Sequence, residues 1–213
     1  MGDSRTTSAL HTVIWDADGV LFNTFDEQGR FRWSKNIVED LKIDTAVFAH
    51  IFSPAWEEVL RGVRDVRTHI AGALTEAGSS IAVDDFIAYW LAKDSSVNWD
   101  IASHLHPARA CIGTNQDPLR AALIGRLFAK HASKVFASSA MGFLKREEGF
   151  YRFIERDLNL APKQLCLIDD SMPNLDAAGR CGWTAHRFTG LAPLEAFLSE
   201  HGLLLQTKQE ERL

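Results

Sequence analysis

Short apolar runs alternate along the chain with stretches whose apolar residues recur at helical spacing. Runs that are apolar throughout are typical of strands covered by helices on both faces. Five runs are predicted to be strands: Thr12–Trp15, Arg109–Gly113, Lys134–Ala137, Gln164–Ile168 and the weaker Thr184–Phe188. Strand and helix in alternation predict an α/β fold with a doubly wound parallel sheet.

The stretch between the first and second predicted strands interrupts this rhythm. It contains no convincing strand, and its spacing predicts helices around 33–42, 45–62, 66–77, 84–93 and 98–105. We therefore interpret 23–106 as a helical cap inserted into an α/β core made of 1–22 and 107–213. The cap would leave the core near the end of the first strand, where open α/β sheets place their ligand crevice.

Composition and charge narrow the function classes. The chain has 213 residues, 46% of them hydrophobic, and its 28 acidic residues outnumber 23 basic ones. That balance argues against a non-specific nucleic-acid surface. No apolar run reaches the roughly 18 residues of a membrane span. We expect a small-molecule ligand, no nucleic-acid or membrane partner, and a monomer or homodimer.

The cysteines and the first residues of the chain indicate the cellular compartment in which we expect the protein. Cys111, Cys166 and Cys181 are odd in number and widely spaced, so we expect no disulfide framework and a reducing, cytoplasmic setting. The first residues lack the pattern of a signal peptide. Gly2 and Thr6 match the short N-myristoylation pattern, and we favour chance agreement there.

Two acidic clusters follow predicted strands. Asp16 and Asp18 come directly after the first strand, with Gly19 next, and the alternative interpretation is an ordinary Asx turn. Asp169 and Asp170 end the fourth. Capping of the next helix explains one of these two acids but hardly both. Adjacent carboxylates concentrate negative charge that a divalent cation with oxygen ligands would offset.

Two further polar groups follow the other strands. Thr114 and Asn115 precede a predicted helix, whose free N–H groups favour anions, although plain capping by Asp117 explains the pattern equally well. Lys145 stands just before another predicted helix, and alone it would be interpreted as a solvated lysine. Asn174, four positions after Asp170, reaches the same side if that turn is helical.

Together these clusters hold the groups needed for phosphoryl transfer through an aspartyl-phosphate. The chain resembles the haloacid dehalogenase (HAD) superfamily, specifically phosphatase-like members with a helical cap after the first motif. The matching stretches are DADGVLFNT, IGTNQD, SSAMGFLK and LCLIDDSMPNLDAAGRCGW, which cover about 10–22 and 108–190. One departure is Arg146, where relatives often carry proline.

The resemblance implies a Mg²⁺-dependent hydrolase of phosphate monoesters of small metabolites. It implies that Asp16 is the nucleophile and Asp18 the general acid and base. Thr114, the Asn115 amide and Lys145 would bind the phosphoryl oxygens. The implied magnesium ligands are Asp16, the main-chain carbonyl of Asp18, and Asp170 with Asp169 nearby; Asn174 would support them.

Three alternatives remain open from the sequence: a phosphomutase, a 2-haloacid dehalogenase, or a catalytically silent binding module. A halide leaving group needs no proton, so Asp18 favours phosphate chemistry over dehalogenation. In the cap, Arg30, Arg32 and Lys35 are candidate substrate contacts, but we favour a solvated face for them.

Overall fold

A five-stranded parallel sheet forms the centre of the computed structural model, which describes residues 10–204. The spatial strand order is β3-β2-β1-β4-β5. The strands are β1 Thr12–Trp15, β2 Ala110–Thr114, β3 Lys134–Ala137, β4 Leu165–Asp169 and β5 Thr184–Arg187. The prediction of a doubly wound α/β core is confirmed. Gly2 and Thr6 lie outside the described residues.

The register brings the ends of the three central strands to one edge of the sheet. Trp15 at the end of β1 pairs with Ile112 of β2 on one side and Ile168 of β4 on the other. The chain leaves β1 towards β2 and β3, then returns to β4 and β5 on the opposite side. This reversal makes a switch point, where open parallel sheets form a crevice.

Successive side chains of β1 point to opposite faces, as strand geometry requires. Val13 and Trp15 pack in one hydrophobic layer with Ile124, whereas Ile14 packs in the other with Phe150. Helices therefore cover both sides of the sheet, and all five of these side chains are buried. The core helices are α7 Pro118–Leu127, α8 Ser138–Met141, α9 Glu148–Leu158, α10 Met172–Arg180 and α11 Leu191–Glu200.

Asp117 caps the helix that follows β2, as one of the two sequence interpretations had it. Its side chain accepts hydrogen bonds from the main-chain N–H groups of Leu119 and Arg120, and Pro118 occupies the first turn. Such capping satisfies donors that have no partner within the helix. Because Asp117 does this work, Thr114 is not needed as the cap.

Between β1 and β2 lies a group of helices with a hydrophobic core of its own, built around Trp33, Ile70 and Trp90. These helices are α1 Ile37–Leu41, α2 Val47–Ile51, α3 Trp56–Leu60, α4 Val66–Glu76, α5 Val83–Lys93 and α6 Trp99–Ala102. We refer to this segment as the cap.

Three of the expected cap helices differ from the prediction. The single helix expected over 45–62 is wrong, because Ser53 and Pro54 separate α2 from α3 and proline disfavours a continuous helix. The helix expected over 33–42 is replaced by a 3-10 turn, Arg32–Ser34, followed by α1. The helix expected over 98–105 is the shorter α6.

Two observations bear on the class of protein. Within residues 10–204, no helix combines the length and the apolar character that crossing a membrane requires. Cys111, Cys166 and Cys181 are buried and carry free thiols.

Candidate active site

Asp16 stands directly after β1 at the centre of the sheet edge, where it is buried. Its carboxylate accepts a hydrogen bond of 2.7 Å from the main-chain N–H of Ala17 and pairs with the ammonium of Lys145. Burial raises the pKa of Asp16 to about 8, against the opposing effect of Lys145. The carboxylate therefore needs further positive charge nearby to stay ionised at neutral pH.

Lys145 is buried, with 2% of its surface exposed, so the interpretation as a solvated lysine is wrong. Its Nζ donates to Asp169 Oδ2 at 2.8 Å and pairs with Asp16. Its main-chain N–H donates to Asn115 Oδ1 at 2.9 Å, which ties its loop to the residue after β2. Burial disfavours the ammonium, but Asp16 and Asp169 outweigh burial and raise the pKa of Lys145.

Asp169 and Asp170 follow one another where β4 ends, but their surroundings differ. Asp169 is fully buried, and Asn174 donates to both its carboxylate oxygens at 3.1 and 3.2 Å. Asp170 is exposed, and burial of part of its side chain together with Asp169 raises its pKa. Asp169 thus holds Lys145 in place, while Asp170 faces the crevice with its carboxylate.

Gly19 makes room for Asp170. It adopts a φ of +82°, and a Cβ on it would lie 2.3 Å from Asp170 Oδ2. Any side chain at this position would therefore collide with the carboxylate and strain the backbone. The glycine after Asp18 allows the acidic clusters that follow β1 and β4 to approach each other.

Asp18 points to the other side of the crevice, towards the cap. Its Oδ1 accepts a hydrogen bond of 2.7 Å from Thr24 Oγ1. Its Oδ2 accepts from Gln116 Nε2 and, at 3.0 Å, from Arg120 Nη1. A side chain held by Thr24 from one segment, and by Gln116 and Arg120 from around the start of α7, is fixed in orientation relative to Asp16.

Arg120 and Asp94 complete a buried charge cluster that sequence reasoning missed. Arg120 Nη2 lies 2.8 Å from Asp18 Oδ1, and its Nε lies 2.8 Å from Asp94 Oδ2. Burial raises the pKa of Asp94 to about 6, although Arg120 opposes that change. One guanidinium therefore joins a core carboxylate to a cap carboxylate.

A weak sequence signal for Arg120 was available. Arg120 lies four residues before Ile124, so the two share the buried face of α7. A charged residue on an apolar helix face needs a buried partner. Asp94 carries no comparable signal, because its partner lies far away in the sequence.

Thr114 and Asn115 lie at the predicted position, at the end of β2 beside the Lys145 loop. Thr114 is buried and pairs in register with Ala137 of β3. The side chain of Asn115 supports the main chain of Lys145. By contrast, three cationic residues of the cap that were considered as substrate contacts are exposed, namely Arg30, Arg32 and Lys35. Their exposure agrees with the prediction of a solvated face.

The acidic residues fit a divalent cation. Asp16, Asp169 and Asp170 each offer an oxygen, and these oxygens all lie within 4.8 Å of one another. Hard cations such as Mg²⁺ prefer oxygen ligands of this kind. Lys145 supplies one positive charge against three carboxylates, so a cation would offset the remaining repulsion. The main-chain carbonyl of Asp18 stays a predicted ligand.

This chain is similar to known proteins in its structure and not in its sequence. No protein-family model and no curated protein matches the sequence. Among solved structures, a protein described as a predicted HAD-like family hydrolase from Porphyromonas gingivalis matches with a TM-score of 0.70 and 18% identity, over 90% of this chain and 98% of that one.

Two other solved structures are also similar. A HAD family enzyme from Bacteroides thetaiotaomicron, solved as a magnesium complex, has a TM-score of 0.67 and 17% identity over 84% of this chain and 93% of that one. L-2-haloacid dehalogenase from Xanthobacter autotrophicus has a TM-score of 0.59 and 17% identity over 90% and 88% of the chains. The resemblance seen in the sequence is thus confirmed at the level of the fold.

Proposed function

We propose that this chain, which has the fold of HAD family enzymes, is a Mg²⁺-dependent hydrolase of small phosphate monoesters that works through an aspartyl-phosphate. One observation carries the proposal. Asp16, Asp169 and Asp170 place three carboxylate oxygens within 4.8 Å of one another around the buried Lys145. Such a site has cationic and metal-binding groups for a phosphate dianion, together with a carboxylate that can attack it.

The first step uses Asp16 and Asp18 in different roles. A carboxylate oxygen of Asp16 attacks phosphorus, and the bond from phosphorus to the ester oxygen breaks. Asp18 enters this step as the protonated acid and gives its proton to the leaving alkoxide, while the side chains of Thr24, Gln116 and Arg120 hold it in place. A proton donor on the leaving-group side is what an ester oxygen requires.

The second step returns Asp16 to its starting state. Asp18, now a carboxylate, accepts a proton from a water molecule that attacks the phosphorus of the aspartyl-phosphate. The bond from phosphorus to the Asp16 oxygen breaks, inorganic phosphate leaves, and Asp18 is protonated again. Lys145 contributes a fixed positive charge beside the phosphoryl oxygens. A Mg²⁺ ion held by Asp16 and Asp170 would neutralise charge between nucleophile and phosphate; Asp169 keeps Lys145 and Asn174 in position.

The fold similarity to an L-2-haloacid dehalogenase makes dehalogenation the second candidate. In that reaction Asp16 would attack carbon and displace a halide, which needs neither a proton nor a metal. Asp18 with its three donors, and the clustered acids, would then have no part in the chemistry. We therefore favour phosphate ester hydrolysis, with phosphoryl transfer within a substrate as a variant of the same first step.

The test is hydrolysis of p-nitrophenyl phosphate with and without Mg²⁺, in the wild type and in Asp16→Asn. We expect activity that requires Mg²⁺ and falls by at least about a thousandfold in the variant. Glu58→Asn is the matched control, because Glu58 is an acid of the cap that pairs only with Arg64 among the described residues.

The results of these assays distinguish the phosphatase, the dehalogenase and the mutase. Release of phosphate that survives in Asp16→Asn would exclude Asp16 as the nucleophile. Activity on 2-haloacids without any on phosphate esters would establish the dehalogenase. Conversion of a sugar monophosphate to its isomer, without release of phosphate, would establish a mutase.

A further inference from the structure

A cavity of about 270 Å³ opens beside Asp18, between the cap and the core. Its core side consists of Asp18, Asn115, Gln116 and Arg120, and its cap side is mainly aromatic. Because Asp18 borders this cavity, the group that leaves from phosphorus would lie in it. The cavity wall therefore selects the alcohol part of the substrate.

The aromatic side forms one continuous wall. Phe31 and Phe52 have ring centroids 4.9 Å apart, Phe52 and Trp56 are 5.3 Å apart, and Trp56 and Trp90 are 6.3 Å apart. Trp90 is buried, whereas Phe31, Phe52 and Trp56 keep part of their surface exposed. Exposed ring surface beside an active site is costly to leave in water and favours an apolar or aromatic ligand.

The charged groups of the cavity are already paired within the protein. Arg120 is the only cation among the cavity-lining residues in the described part of the chain, and it lies between Asp18 and Asp94 at 2.8 Å from each. The indole N–H of Trp90 donates to Asp94 at 3.2 Å. Asn115 accepts from Lys145. A leaving group with its own carboxylate or second phosphate would find no free positive charge here.

We propose that the cavity binds an uncharged aromatic or apolar alcohol, so that the substrate is an arylalkyl or similarly apolar phosphate monoester. This inference rests on the proposed phosphatase function and adds the substrate class. It assigns Phe52 and Trp56 as specificity-determining residues that contact the leaving group. Hydroxyl-rich and multiply anionic esters are the classes that this wall disfavours.

The first experiment compares three primary alkyl phosphates, so that the intrinsic reactivity of the leaving alcohol is similar: 2-phenylethyl phosphate, glycerol 1-phosphate and 2-phosphoglycolate. We expect kcat/KM for 2-phenylethyl phosphate to be at least about tenfold higher than for the other two. Higher or equal kcat/KM for either polar ester would overturn the inference while leaving the phosphatase proposal intact. Hydrolysis of none of the three, nor of p-nitrophenyl phosphate, would overturn both.

The second experiment changes the wall. Trp56→Gln should raise KM for 2-phenylethyl phosphate by about tenfold, with little change in KM for glycerol 1-phosphate. Trp56→Phe should restore most of the difference in KM between the two esters. Trp99→Gln is the control, since Trp99 is an exposed cap tryptophan that packs on Phe128 and His131 outside the cavity. Equal effects of Trp56→Gln on both esters would overturn the inference.

A binding measurement does not depend on turnover. We expect calorimetry to show that 2-phenylethylphosphonate binds the wild type at least about tenfold more tightly than methylphosphonate, and that Trp56→Gln abolishes this difference. Equal affinity of the wild type for the two phosphonates would contradict the assignment of the cavity to the leaving group.

Discussion

The environment of each charged residue at this site depends more on its ion-pair partners than on its position in the sequence. Asp16, Asp18, Lys145 and Asp170 could be selected from sequence because each follows a predicted strand, and parallel strands bring such residues to one edge. Arg120 could not be selected with the same ease, because its partners come from separate segments. Pairing across the chain depends on tertiary packing, which local pattern does not describe.

The role of Asp18 as proton donor can be tested with two leaving groups. Asp18→Asn should lower kcat for an alkyl phosphate by about a hundredfold to ten-thousandfold, because the alkoxide then leaves without a proton. The rate of the first step should fall less with p-nitrophenyl phosphate, because its phenolate leaves readily without a proton. Single-turnover measurement of alcohol release isolates this step. An equal fall in the rate of the first step for both esters would contradict the assignment of Asp18 as proton donor.

The buried Asp94 predicts a pH-dependent contribution to stability. Folding raises the pKa of Asp94 from 3.8 to about 6, so the folded protein binds this proton more tightly than the unfolded chain does. The contribution of Asp94 to the free energy of unfolding is therefore full below pH 3.8. It falls by about 3 kcal/mol as the pH rises through about 6.

Asp94→Asn should remove this dependence of stability on pH, while the amide oxygen still accepts the hydrogen bond from the indole N–H of Trp90. The measurement is the difference in free energy of unfolding between wild type and variant, from urea denaturation across pH 4 to 7. We expect wild type to lose stability relative to the variant as the pH rises. A difference that stays constant, or that changes in the opposite direction, would show that Arg120 fully compensates for burial.

At the scale of elements, the cap and the loop that carries Lys145 are joined by ion pairs. Arg61 at the end of α3 contacts Glu147 at 2.6 Å and Glu57 at 2.9 Å, and Arg146 contacts Glu57 at 2.6 Å. Arg146, which stands where the family resemblance leads us to expect proline, is thus part of a connection between cap and core. The sequence showed this departure but not its partner.

Removing that connection should loosen the cap without unfolding it. Glu147→Gln should speed hydrogen exchange of the main chain over 53–65 and in the loop that carries Lys145 by about two- to fivefold, since partly exposed ion pairs contribute little each. Arg61 lowers the pKa of Glu147, so the wild type should lose the same protection as the pH falls below about 4.5. The measurement is hydrogen exchange followed by mass spectrometry.

Glu58→Gln provides the matched control for this experiment. Glu58 lies on the same helix as Glu57 but pairs with Arg64 inside the cap at 2.7 Å. It should leave exchange in the Lys145 loop unchanged. Equal effects of the two variants on that loop would mean that the cap–core ion pairs do not hold the loop.

At the scale of the whole molecule, the sheet was predictable and the details of the cap were not. Five apolar runs and their alternation with helices determined the α/β class, because buried parallel strands have a clear pattern. The cap helices are short, and proline or turn residues interrupt their periodicity, as at Pro54 between α2 and α3. The aromatic wall brings together cap residues from several of these short elements, so it emerges only in three dimensions.

The same contrast applies to the site. Residues at strand ends share an edge set by the sheet register, and the structure brings Asp16, Asp169 and Asp170 together there. Asp18, however, borders a cavity whose other wall belongs to the cap. In the proposed function, the core supplies the reacting groups, and contacts between core and cap select the substrate.

The most direct test of the central claim is the mass of the protein during turnover. In Asp18→Asn, where attack by water is slowed, acid quenching in the presence of p-nitrophenyl phosphate and Mg²⁺ should trap the covalent intermediate. The account predicts one phosphoryl group on the peptide that contains Asp16, and none when Asp16→Asn is added. A phosphoryl group on a different residue, with hydrolysis continuing in the double variant, would contradict it.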